Sequence, residues 1–205
     1  MNELTVASEN QKLFLTNLRQ TTANSHKQLE ENYYSNAIQE SSVTLHNYQT
    51  YIAKLYGIIL ASENDVFPVL TSLISDIGQR YKADFIVNDL TNTGIPILEV
   101  KGLPVYNFKV SSAAQALGIM YVLEGSTLGG KFLYKHINKI LGLNAENGAS
   151  YFWGYGQQTG PLWNNFITIV SNYAVEKNCE DEIIASAVQT FSKIDLWLNK
   201  AEITW

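Results

Sequence analysis

His26 sits where a histidine could hold a metal. It is one of three histidines in the chain. Glu30 follows four residues on and Arg19 precedes it by seven, so on a helix the three share a face. A carboxylate that takes one ring N–H fixes the tautomer and leaves the other nitrogen free for a metal. An arginine two turns away can meet a carboxylate carried by a ligand. A second stretch, "EGSTLGGKF" (124–132), nearly matches a phosphate-binding loop through Gly125, Gly130 and Lys131. Phe132 stands where that loop needs a hydroxyl for magnesium. The loop also needs a preceding strand and further β–α units. "ALGIMYVLE" instead follows a helix cap and is built from helix-compatible residues, and no β–α units are found.

Gly129 and Gly130 in a helix interior cost roughly 2 kcal/mol against alanine, and Gly125 adds about 1 kcal/mol. Such a concession has two readings. The helix is packed closely there, or its backbone must be approached by something else or kink. A flat, largely apolar ligand between two helices joins the second reading to His26. One helix supplies an axial imidazole, and the other supplies backbone free of side chains. Haem, with iron at its centre and propionates at its edge, is such a ligand.

The elements that must position these residues are helical. Leu15, Leu18, Thr22, His26, Leu29 and Tyr33 step along one face of a helix over roughly 9–33. Further helices are expected over 44–63, with Tyr48, Ile52, Leu55 and Ile59 on one face, and over 67–78, with Pro68 in its first turn. "RYKADFIVNDLTNTG" (80–94) reads as another helix. Residues 95–110 and 143–158 read as loops. Ser112 and Gln115 form a capping-box pattern that opens a helix over 112–141 holding the glycines, with Gly142 as its stop. Helices over 160–177 and 181–201 complete about seven. The expected fold is all-α, one domain over 1–205.

Composition narrows the function. At net charge −5 the chain has no basic field for nucleic acid or anionic lipid. No apolar run approaches the roughly 20 residues of a membrane span. The N-terminus lacks the basic start and apolar block of a signal peptide, and the single cysteine, Cys179, suits a reducing cytosol, so a cytoplasmic protein is expected. His46 and His136 read as surface or capping residues. Lys131 and Lys135 read as solvated, with an approach to a propionate as the alternative. Tyr151, Phe152, Trp153 and Tyr155 read as core at the bundle's end, and Cys179 as incidental.

"LRQTTANSHKQLE" (18–30) together with "YVLEGSTLGGKFL" (121–133) resembles the haem oxygenase family, and most closely its bacterial branch associated with bacteriophytochromes. "DFIVNDL", "YFWGYGQQTGPLWNNF" and "FSKIDLWL" extend the likeness over nearly the whole chain. The resemblance implies haem lying between the first helix and a kinked, glycine-bearing distal helix. It implies ring opening to biliverdin with release of CO and ferrous iron, driven by O2 and external electrons. No flavin or iron–sulfur motif is present in the sequence, so a ferredoxin or reductase is the expected donor. By the same resemblance His26 is the proximal iron ligand and Glu30 its partner. Gly125, Gly129 and Gly130 form the distal surface, and Arg19 contacts a propionate. Many relatives carry an aspartate where Ser126 stands; a serine can order water but is no carboxylate. Two rivals have other requirements. A di-iron enzyme needs Glu-x-x-His pairs, which are lacking. A haem-binding or storage protein would keep His26 and the glycines alike, and only turnover separates it from the enzyme.

Overall fold

The computed structural model describes residues 8–203 and residue 205, and within them the chain forms helices and no strand. Ten α-helices follow in order among the described residues: α1 Glu9–Glu30, α2 Tyr33–Ala37, α3 Leu45–Asp65, α4 Phe67–Leu70, α5 Ala83–Asn92, α6 Ile97–Lys101, α7 Ala113–Leu141, α8 Ser150–Trp153, α9 Thr159–Lys177 and α10 Glu180–Lys200. The all-α expectation holds. α7 and α10 pack along each other at the centre, α1 lies against α10 and α9, and α3 packs on α5. One apolar core runs through them, with Leu18, Ile52, Leu117, Met120, Phe166 and Leu198 fully buried.

The long helices follow their sequence signals. Ser8 and Gln11 form a reciprocal capping box at α1, as do Thr44 and Asn47 at α3. At α7 the Ser112 hydroxyl accepts the Gln115 N–H, as expected. The Gln115 side chain, however, reaches Ser111 and not Ser112 (3.1 Å to the amide), so the box closes one residue early. Gly142 ends α7 at φ +71°, a conformation glycine adopts without strain. α7 remains α-helical through Gly125, Gly129 and Gly130.

The short elements depart from expectation for reasons outside their own sequence. The first helix stops at Glu30, not 33. Asn32 caps a new helix, accepting the Tyr34 N–H at 3.0 Å, and Tyr33 is 70% exposed and leaves the stripe. The helix expected over 67–78 is only α4. Thr71, Ser72, Ser75 and Gly78 weaken it, and the chain turns to bury Ile74 before a 3-10 turn at Ile77–Gln79. The next helix begins at Ala83, not 80, because a carboxylate from α3 caps it. Glu63 accepts the N–H groups of Lys82 and Ala83 at 2.6 and 2.7 Å. Both expected loops hold short helices, α6 and α8. Buried Asp89 starts α8 by accepting the Ser150 and Tyr151 amides at 2.7 and 2.8 Å.

Candidate active site

α1 and α7 face each other across a cavity of about 780 Å3. That is the size of pocket that takes cofactors, which runs from about 300 to 1,000 Å3. α1 contributes a strip of side chains that continues its buried ridge. Phe14, Leu18 and Thr22 are buried in the core. Arg19, Ala23, His26, Leu29 and Glu30 line the cavity. His26 is therefore not a core histidine. Its side chain is 57% exposed and packs edge-on to Phe191, ring centroids 5.5 Å apart. It makes no hydrogen bond among the described residues.

The ring hydrogen bond expected from Glu30 is not formed. Glu30 Oε2 stands 3.7 Å from His26 Nδ1, beyond hydrogen-bond reach. Both side chains are more than half exposed, and solvent screening gives such a pair little reason to close. Arg19 lines the same wall and has no salt bridge among the described residues.

The facing wall is α7. Residues 121–133 line it at Tyr121, Val122, Leu123, Gly125–Gly130, Phe132 and Leu133. The three glycines prove unequal. A Cβ on Gly130 would come within 3.3 Å of the Phe152 carbonyl, so close packing against α8 accounts for it. A Cβ on Gly125 would meet the Trp163 ring at 3.5 Å, an ordinary contact. A Cβ on Gly129 would meet no atom within 4 Å, so no packing within the protein requires a glycine there. The Ser126 hydroxyl donates to the Leu123 carbonyl at 2.7 Å, and that of Thr127 to Glu124 at 2.6 Å. Ser126 thus keeps acceptor capacity toward the cavity, while its proton goes to the backbone.

The remaining walls come from residues that the sequence reading treated as core or passed over. Tyr51, Leu55 and Ile58 enter from α3, Tyr151 and Phe152 from α8, Trp163 from α9, and Phe191, Ile194 and Leu198 from α10. Tyr151 and Phe152 are cavity wall and not merely bundle end, and Trp153 is 47% exposed. Burial pushes the Tyr51 and Tyr151 phenols up, so both stay neutral at physiological pH. Lys131 and Lys135 are exposed and outside the cavity lining. His46 is exposed, and His136 Nε2 sits 3.0 Å from the Glu40 carbonyl. Cys179 occupies the N-cap of α10, half-buried.

Buried and half-buried carboxylates elsewhere are already engaged. Glu63 caps α5, and Asp89 holds α8. Asp76 and Glu124 bind Arg80. Glu124 was not singled out by the motif reading, although one carboxylate within "ALGIMYVLEG" is itself a signal of a buried polar partner.

The site is thus an apolar cleft in an all-helical fold, with an α1 imidazole facing the glycine-bearing stretch of α7. The chain belongs to the heme oxygenase family, whose model matches residues 12–200, and it is an enzyme of that type. Heme oxygenase PigA of Pseudomonas aeruginosa is 28% identical over 191 residues, covering 91% of this chain and 90% of that one. The fold matches that of the NO- and CO-bound heme oxygenase from Neisseria meningitidis with TM-score 0.73 at 23% identity, covering 91% and 90% of the two chains. It also matches heme oxygenase 2 from Chlamydomonas reinhardtii solved without heme, with TM-score 0.74 at 16% identity and coverage of 93% and 98%. No helix among the described residues is long and apolar enough to cross a membrane.

Proposed function

We propose that this chain binds haem between α1 and α7 through His26 and opens the ring to biliverdin, releasing CO and ferrous iron. The observation that carries this reading is the pairing of a cavity-facing imidazole with Gly129, whose missing Cβ no protein contact explains. Bound haem supplies the iron that activates dioxygen and the ring that is consumed. The chain's own groups do the rest. His26 would hold the iron from the α1 side through an imidazole nitrogen. Gly125 and Gly129, which carry no side chain into the cavity, would leave room for the ring beside α7. Ser126 accepts a hydrogen bond from ordered water in place of a carboxylate. Arg19 holds a propionate, and Glu30 closes on His26 Nδ1 as the site fills. Tyr121, Phe152, Trp163 and Phe191 keep bulk water from the ring.

Electrons come from an external ferredoxin or reductase. The whole chain acts as one domain in the cytoplasm, within the bacteriophytochrome-associated branch that "SHKQLE" and "EGSTLGG" resemble. The test is to add haemin and an electron donor to the protein in air and record visible spectra over time. Loss of the haem bands with growth of a biliverdin band is expected. A stable haem complex that never turns over would make the chain a haem-binding or storage protein.

A further inference from the structure

Within residues 121–130 of α7, every residue lines the cavity except Glu124. Glu124 is 2% exposed and points into a closed set of charged and polar groups. Its Oε2 accepts from Arg80 Nη1 at 2.5 Å. Its Oε1 accepts from the Tyr155 hydroxyl at 2.7 Å and from Lys82 Nζ at 3.4 Å. Arg80 is fully buried. It forks onto Asp76 at 2.9 and 3.0 Å and donates to the Leu162 carbonyl at 3.1 Å. Asn165 donates to Asp76 at 2.9 Å. Burial works against the Asp76 charge, but the Arg80 and Asn165 hydrogen bonds outweigh it and hold that carboxyl below its ordinary value.

The network joins the 3-10 segment, the Tyr155 loop and α9 to one residue of α7. That residue begins the weakest stretch of the helix. Gly125, Gly129 and Gly130 each lower helix propensity. Ser126 and Thr127 bond back onto the carbonyls of Leu123 and Glu124, a pattern that bends and loosens helices. A turn made so weak to admit a ligand has to be fixed from its other side. Replacing this buried, fully satisfied carboxylate takes the carboxylate partner from buried Lys82 and leaves buried Arg80 with Asp76 alone, so the anchor is stiff.

We infer that Glu124, clamped by Arg80, Lys82 and Tyr155, is a positioning residue that fixes the Gly125–Gly130 backbone over the haem face without touching haem. This rests on the function proposed above, but its first readout does not. In Glu124→Gln, amide hydrogen exchange at 125–130 in the haem-free protein should rise about tenfold, with exchange in α3 and α10 unchanged. Tyr155→Phe removes one hydrogen bond and spares the charges, so it should move the same amides by about threefold and keeps the test valid where Glu124→Gln fails to fold. With haem added, Glu124→Gln should bind it within about twofold of the parent while the yield of biliverdin per haem consumed falls about tenfold. Exchange that is unchanged, or that rises equally everywhere, overturns the inference. A parent protein that never turns haem over, with the exchange result intact, would remove the proposed function and leave the anchor standing.

Discussion

α7 carries glycines of two kinds, and the difference separates what the fold needs from what a ligand needs. Gly118 lies where α7 crosses α10. A Cβ there would stand 2.5 Å from the Ile183 carbonyl and 2.6 Å from Ser186 Cβ. Two helices approach so closely that no side chain fits, and packing is a complete explanation. Three turns on, Gly129 faces open space in the cavity wall. The protein bears the helix-propensity cost there and receives no contact in return. An unexplained local cost of this kind is the mark of a site.

The comparison is broken most severely by a large side chain at the open position. Gly129→Leu should lower haem turnover by about a hundredfold, since misplacement by about 1 Å has effects of that size. Helical content by circular dichroism should stay that of the parent. A fully active leucine variant would return Gly129 to the packing class. At the closed position the smallest change should cost fold. Gly118→Ala should destabilise the protein by about 2–3 kcal/mol through overpacking, lowering Tm by roughly 5–10 °C for a chain of this size. An unshifted melting curve would show that the crossing can relax.

The same substitution at Gly129 should have the opposite sign. With no atom within 4 Å of the new Cβ, Gly129→Ala should raise stability by about 1 kcal/mol through helix propensity alone, read by chemical denaturation. A loss of stability would mean that the cavity wall is tighter than its geometry indicates. The smallest effect belongs to the opposite wall. Arg19 is exposed on the cavity wall, and if it holds a propionate as proposed, Arg19→Ala should weaken haem binding by about threefold to tenfold. It should also change the mixture of biliverdin isomers separated by chromatography. An identical isomer pattern at an undiminished rate would show that Arg19 does not set the orientation of the ring.

The long helices were legible because their signals are local: caps at Ser8, Thr44 and Ser112, a stop at Gly142, and periodic apolar residues between. The starts of α5 and α8 were not, because Glu63 and Asp89 cap them from other helices. Within the site, His26 and Gly129 were legible as residues placed where their types are unfavourable for structure alone. Gly130 carried the same letter for a different reason, the nearness of the Phe152 carbonyl, and no single sequence separates the two. The Glu30 spacing reads as a ring hydrogen bond, whereas the structure holds the pair close but unbonded at 3.7 Å. Spacing of i, i+4 brings two side chains near each other, but two exposed groups need more than proximity to bond. The walls from Tyr51, Tyr151 and Trp163 depend on how α3, α8 and α9 pack, which no local pattern encodes.

The central claim is that a ligand sits between the His26 face of α1 and the bare face of α7, held at iron by the imidazole. His26→Ala tests it most directly. The side chain is 57% exposed and its removal leaves no buried partner, so the variant should fold with the parent's circular dichroism spectrum. It should lose the histidine-ligated visible spectrum on haem addition and lose turnover, and added imidazole should restore part of both. A variant that keeps the parent's haem spectrum and rate would contradict the account.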